Sequence, residues 1–162
     1  MQTTCVEQRL RTFLLVLAGW LCVGTIIELL LVGHTETVVQ FIPFALCGVG
    51  LAAVGAALLR SRRGTLLGLR AVMAVLLAGS LFGIYEHVEG NLAFALEIRP
   101  GAAVSDVWTE ALTGAAPLLA PGILALAALL ALAATYAHPA LQRRQSATVS
   151  GGTPAGDTIW PS

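Results

Sequence analysis

Charged residues are scarce in this chain of 162 residues. They make up 11% of it, whereas an ordinary soluble domain carries about 25%. With 57% hydrophobic residues and a mean hydropathy of +0.83, the chain has more apolar surface than one globular core of this length can hide from water. The composition therefore argues against a soluble domain. It also excludes an intrinsically disordered chain, which would have low hydrophobicity.

Lysine is absent, and the nine basic residues are all arginine, balanced by nine acidic residues. A net charge of zero argues against a nucleic-acid-binding protein. The three cysteines are scattered and form no Cys-x-x-Cys motif, which excludes a disulfide scaffold and thiol exchange. No phosphate-binding loop, nucleophile elbow or catalytic triad pattern is present. We therefore expect a protein that is not an enzyme and that carries no cofactor.

Long apolar runs dominate what the sequence does contain. About 20 apolar residues are needed for a helix to cross roughly 30 Å of hydrocarbon. Four runs meet this length, at residues 12–32, 38–59, 66–85 and 117–137. We expect an all-α fold, a four-helix transmembrane bundle spanning residues 12–138, with the lipid bilayer as its main partner. Thr37 and Gln40 predict a capping box, and Pro43 and Pro121 predict kinks inside their helices.

The arginines predict the orientation of the bundle. All of them except Arg99 fall on one side of a four-span chain. Basic loops stay in the cytoplasm, so residues 1–11 and a disordered tail at 139–162 are predicted to be cytoplasmic. The bias toward Ala, Gly and Arg indicates a gene of high G+C content and hence a bacterial plasma membrane. Most acidic residues fall on the other side, which predicts an anionic outer face.

The long outer connection, residues 86–116, contains a second helical pattern. Its apolar residues follow helical spacing and are Val104, Val107, Trp108, Ala111 and Leu112. This spacing predicts a short amphipathic helix lying at the outer interface, with Trp108 as its anchor. Gly114 is expected to cap the helix, and Asn91 is expected to lie in a turn.

Small residues recur at four-residue spacing in several runs. The patterns are Gly64-x-x-x-Gly68, Gly79-x-x-x-Gly83, the stripe Gly48, Ala52 and Ala56, and the pair Ala127 and Ala131. Small residues let neighbouring helix backbones approach closely in a membrane. They predict either packing within one bundle, which we favour, or the face of a homodimer.

Glu28 is the most informative candidate site residue, because it lies inside an apolar run. An ionisable group at membrane depth is costly and usually faces a partner or a cavity. Only 15 residues separate Arg70 from Glu86, so either Arg70 reaches inward to water or Glu86 and His87 lie below the outer surface. In the second case they lie at a depth similar to that of Glu28, on a span that could pack against the first. A Glu28, Glu86 and His87 cluster could bind a proton or a cation. The favoured structural alternative is a hydrogen-bonded polar cluster that orients the helices, or a Glu28 side chain that reaches the interface.

A metal site is a weaker alternative. His34, His87 and Glu89 could act as ligands, although their spacing matches no standard metal motif. His34 and His87 could also ligate a haem iron.

Three segments carry a family resemblance. Gly83-Ile-Tyr-Glu-His-Val-Glu-Gly-Asn-Leu-Ala-Phe-Ala-Leu-Glu97, the stretch 110–122 and Thr135-Tyr-Ala-His-Pro139 resemble a group of small, uncharacterised bacterial four-span membrane proteins. The resemblance covers about the second half of the chain and implies no particular activity. Glu28 after Thr25-Ile-Ile is similar to the first-span glutamate of small multidrug-resistance transporters. The long outer segment and the uneven arginine distribution differ from those proteins and argue against an antiparallel dimer.

These observations leave two main functional hypotheses. The first is a non-enzymatic interaction or accessory subunit, whose partner is another membrane protein or further copies of itself. The second is a proton- or cation-coupled carrier of small molecules that uses the intramembrane Glu/His pair. An outer-face metal or haem site remains a third.

Overall fold

The computed structural model describes residues 5–114 and 118–142. All regular secondary structure in these residues is helical, and they contain no strand. The predicted tail beyond residue 142 lies outside these described residues. A single 3-10 turn, Val38–Phe41, precedes the second helix. The helices are α1 (Cys5–Leu31), α2 (Ile42–Leu59), α3 (Arg63–Ile98), α4 (Val104–Thr113) and α5 (Leu119–Ala134).

Three of the helical segments are long and apolar enough to cross a membrane: α1, the 3-10 turn with α2, and α3. Helix α5 is apolar but shorter, with 16 residues, or about 24 Å. Only 22–28% of the residues in the most apolar stretches of the three long segments are buried inside the structure. Most apolar side chains therefore face outward, as expected for helices surrounded by lipid.

Four helices form a ring. Helices α1 and α3 each pack against both α2 and α5, so the order around the ring is α1, α2, α3, α5. In this arrangement α1 and α3 lie diagonally across the bundle. Helix α4 packs on α3, outside the ring.

Small residues allow the helices to approach closely in the core. A Cβ added to Gly50 would lie 3.6 Å from Leu76 Cδ1 and 3.7 Å from Cys22 Sγ. On α5, Ala127 and Ala131 are completely buried. Since α5 packs against both α1 and α3, these alanines set the close spacing at the centre of the bundle.

The glycines of the second predicted pair also pack inside the bundle. A Cβ on Gly79 would lie 2.5 Å from Leu46 Cδ1, and one on Gly83 would lie 3.2 Å from Pro121 Cβ. This confirms the favoured interpretation for that pair. By contrast, the Gly64-x-x-x-Gly68 pair has open space around both residues and is exposed, as is the stripe beginning at Gly48.

The predicted proline kinks are wrong. Pro43 is the second residue of α2, because the 3-10 turn separates that helix from the residues before it. Pro121 lies in the first turn of α5, where the missing N–H of proline leaves no hydrogen bond unmade.

The Thr37 backbone N–H donates to Gln40 Oε1 at 3.1 Å, which forms one half of the predicted capping box.

Two arginines tie the end of α5 to its neighbours. Arg70 Nε donates to Thr135 Oγ1 at 2.9 Å, and its Nη2 donates to the Thr135 carbonyl at 3.3 Å. Arg11 reaches the carbonyls of Ala134 and Ala137 at 3.4 and 3.5 Å. The last carbonyls of a helix have no partner within the helix and form its negative pole. The guanidinium groups supply donors and positive charge at this pole.

Candidate functional site

Helix α3 continues far beyond the predicted span end at Tyr85. Its 36 residues measure about 54 Å, well over the roughly 30 Å of a hydrocarbon core. The cause is a helical spacing of buried residues that persists through Ser80, Asn91 and Ala95. We call the part of α3 after Tyr85, together with α4, the outer hairpin, after the outer side that the sequence predicts for it. It replaces most of the long connection expected from the sequence.

Asn91 joins the two helices of the outer hairpin, and its predicted place in a turn is wrong. Its side chain is buried, and its Nδ2 donates to the Ala111 carbonyl at 3.0 Å. A Cβ on Gly114 would lie 2.7 Å from Asn91 Cγ. Gly114 ends α4 as expected but has a φ of −69°, so it is not a left-handed cap. Its lack of a side chain instead makes room for Asn91.

An ion pair links the turn of the outer hairpin to α4. Arg99 follows α3, and its guanidinium contacts the carboxylate of Glu110 on α4, with both side chains about half exposed. Gly101, at a φ of 90°, adopts the left-handed conformation required by the turn between the helices. The position of α4 is therefore fixed by Asn91 and by this ion pair.

Helix α4 is amphipathic, as the sequence predicts. Val107 and Ala111 are completely buried. The other apolar residues, Val104, Trp108 and Leu112, follow one another at four-residue spacing and are each about half exposed. We call these three residues the Trp108 stripe. The role of Trp108 as an interfacial anchor stays a prediction.

His34 and His87 lie close enough to interact electrostatically. His34 follows α1, and its backbone N–H donates to the Leu29 carbonyl at 2.9 Å. Burial lowers the pKa of His34, and the charge of His87 lowers this pKa further. His87 Nδ1 is buried and has no hydrogen-bond partner among the described residues. The electrostatic interaction thus links an imidazole in the loop after α1 with one on α3.

The possible cluster of Glu28 with Glu86 and His87 stays a prediction, and no side-chain contact of Glu28 supports it. The Glu28 side chain is partly exposed and makes no hydrogen bond or ion pair with any residue in the described ranges. The physical reason is the ring order, which places α1 and α3 diagonally rather than side by side. Glu86 and Glu89 are exposed on α3.

The three proposed metal ligands His34, His87 and Glu89 do not form a metal site in this structure. Across residues 5–114 and 118–142, no group of three His, Cys, Asp or Glu side chains is arranged to hold a metal ion.

Sequence reasoning missed Asn91 as a structural residue. The signal that could have identified it is the continuation of helical spacing from Leu76 through Ala95, which argues against a turn at position 91.

Comparisons of the chain with protein-family models, curated protein sequences and solved structures find no match.

Proposed function

We propose that the chain is a four-span protein of a bacterial plasma membrane, with both termini cytoplasmic. It acts as a non-enzymatic accessory subunit that binds another membrane protein through the outer hairpin. Three helical segments have the length and apolarity for spanning. Helix α5 completes the ring between α1 and α3, which supports its assignment as the fourth span.

The charges support this orientation. Arg11 and Arg70 lie at one end of the bundle, and the α2–α3 connection at the same end carries Arg60, Arg62 and Arg63. Arg99 is the exception in the sequence, and the structure pairs it with Glu110. Because its charge is compensated locally, Arg99 opposes the positive-inside rule less than an isolated arginine would.

One observation carries the functional proposal: the outer hairpin holds an exposed apolar stripe in a fixed position beyond the bundle. The buried Asn91 hydrogen bond and the Arg99–Glu110 ion pair fix α4 on α3. Exposed tryptophan on a rigid helix is typical of protein interfaces. The exposed carboxylates of Glu97 and Asp106 lie on the same hairpin and favour a partner with basic residues at this surface.

Native gel electrophoresis of mild-detergent membrane extracts tests the proposal. We expect the tagged chain to migrate in a complex larger than the purified protein alone, and Trp108→Ser to release it. Ser105→Ala is the matched control, since Ser105 is an exposed polar residue of the same helix. The proposal fails if Trp108→Ser leaves the complex intact. It also fails if the purified chain alone migrates at the same position, which would indicate a homo-oligomer.

Labelling with a membrane-impermeant maleimide tests the orientation. Cys5 is exposed, whereas Cys22 and Cys47 are buried. In intact cells we expect no labelling of the natural chain and clear labelling of a Glu97→Cys variant. Opening the membrane should expose Cys5. Labelling of Cys5 in intact cells would contradict a cytoplasmic N-terminus.

The proximity of His34 and His87 favours a second candidate, a proton-coupled carrier. In this version the buried Nδ1 of His87 takes up a proton from the outer side. Purified protein in liposomes that contain a pH-sensitive dye should then dissipate an imposed pH gradient, and His87→Gln should abolish the flux. Glu89→Gln serves as the control, because Glu89 is exposed on the same helix. Empty and protein-containing liposomes with equal rates would exclude the carrier.

A further inference from the structure

A cavity of about 380 Å³ opens at the arginine-bearing end of the bundle. It lies between α1, the ends of α2 and α5, and the start of α3. Its polar wall includes Gln8, Arg11 and His138. No carboxylate lines it among the residues that the structure describes.

Arg11 can turn part of its guanidinium toward a ligand in this cavity. Its two hydrogen bonds to α5 carbonyls, at 3.4 and 3.5 Å, are at the long limit for such contacts and hence weak. A guanidinium has five N–H groups, so donors remain for an anion. Arg70, bound to Thr135 at the edge of the cavity, adds a second positive charge nearby.

His138 supplies a neutral donor. The backbone N–H of Ala140 donates to His138 Nδ1 at 3.2 Å, so Nδ1 carries no proton and the neutral ring carries its proton on Nε2. Burial lowers the pKa of His138, and the positive charge of Arg11 lowers this pKa further. The ring is therefore an uncharged N–H donor near pH 7.

The remaining wall of the cavity is apolar and includes Leu15, Leu58 and Leu66. We propose that the cavity binds the phosphodiester group of an anionic phospholipid, with Arg11, Gln8 and His138 as donors and the leucines against the glycerol and acyl chains. Basic pockets between membrane helices on the cytoplasmic side bind anionic headgroups. The inference rests on the proposed membrane orientation but is independent of the outer hairpin and its partner.

Thermal unfolding of the purified full chain in a neutral detergent, followed by tryptophan fluorescence, tests the inference. Three ligands are titrated separately: phosphatidylglycerol, phosphatidylcholine and inorganic phosphate. Phosphatidylglycerol should raise the Tm in a saturable manner, because a ligand that binds the folded state stabilises it. Phosphatidylcholine and inorganic phosphate should have little effect. Equal protection by inorganic phosphate would overturn the assignment to a lipid.

The variants compare two arginines of the same helix. Arg11→Gln should weaken binding of phosphatidylglycerol about tenfold or more, since it removes a charge-assisted hydrogen bond. Arg9→Gln removes the same charge from an exposed position outside the cavity and should change binding less than twofold. Equal losses in both variants would show diffuse surface attraction and refute the site. If Arg11→Gln does not fold, His138→Phe, which keeps a ring but removes its donor, must weaken binding, and unchanged binding refutes the site.

Discussion

Replacing Asn91 by leucine removes the hydrogen bond that holds α4 on α3. The two side chains have similar shapes, so the change removes polar contacts, among them the bond from Asn91 Nδ2 to the Ala111 carbonyl, which is 3.0 Å long. Both residues are buried, and water cannot readily replace the missing donor. An unsatisfied buried carbonyl costs about 1–3 kcal/mol.

This cost should appear as local opening of α4 and not as unfolding of the four-helix bundle. A loss of about 1–3 kcal/mol raises the population of an open state about 5- to 150-fold. Amide hydrogen exchange of α4, measured by mass spectrometry on the detergent-solubilised chain, should accelerate by that factor in Asn91→Leu. Amides in the middle of α2 should exchange at their original rate.

Glu97→Gln is the control, because it changes an exposed side chain on the same part of α3. It should leave exchange in α4 within about twofold of the natural protein. The reasoning is refuted if Asn91→Leu leaves α4 protected, or if α2 and α4 accelerate equally. The first result would show that the packing of Val107 and Ala111 and the Arg99–Glu110 ion pair hold α4 without Asn91. The second would show that Asn91 stabilises the whole bundle.

Three further predictions concern the bundle and its outer end. Gly79→Val should lower the Tm by the equivalent of about 1–3 kcal/mol, because a side chain there overlaps Leu46, while Gly68→Val in open space should not. Folding lowers the pKa of His34, so the unfolded chain takes up a proton on His34 more readily than the folded chain does. The contribution of neutral His34 to the free energy of unfolding should therefore be fully present above its ordinary pKa of about 6.5 and should fall as the pH drops below it. His34→Gln should flatten the resulting fall in Tm between pH 8 and 5. Arg70→Met should destabilise the chain by about 1.5–3 kcal/mol in thermal unfolding, since it removes two hydrogen bonds to the end of α5, and an unchanged Tm would contradict this.

The helical class and the positions of the long apolar helices follow from the sequence, because hydrophobic length is a local property of the chain. The capping pair at Thr37 and Gln40 and the amphipathic pattern around Trp108 are also local, and the structure contains both features. Helix ends are predicted less well. Tyr85 looks like a boundary because Glu86 and Glu89 follow it, yet charged residues on an exposed face do not end a helix.

The candidate site depends on which helices are neighbours, and apolar runs contain little information on that point. Their positions along the apolar runs place Glu28 and His87 at similar depths in the predicted bundle. The order of the helices in the ring, however, separates α1 from α3. His34 lies in the loop after α1 and meets His87 through tertiary packing that no local pattern indicates. The bond between Asn91 and Ala111 likewise joins residues 20 positions apart in the chain.

The two arginine contacts at the end of α5 have a consequence for how the protein is made. Arg11 and Arg70 leave the ribosome long before Thr135, so both guanidinium groups lack these acceptors until α5 packs against α1 and α3. A truncated chain that stops before Ala134 lacks the acceptors of both guanidinium groups. Docking of the end of α5 is thus the step that gives both guanidinium groups their acceptors.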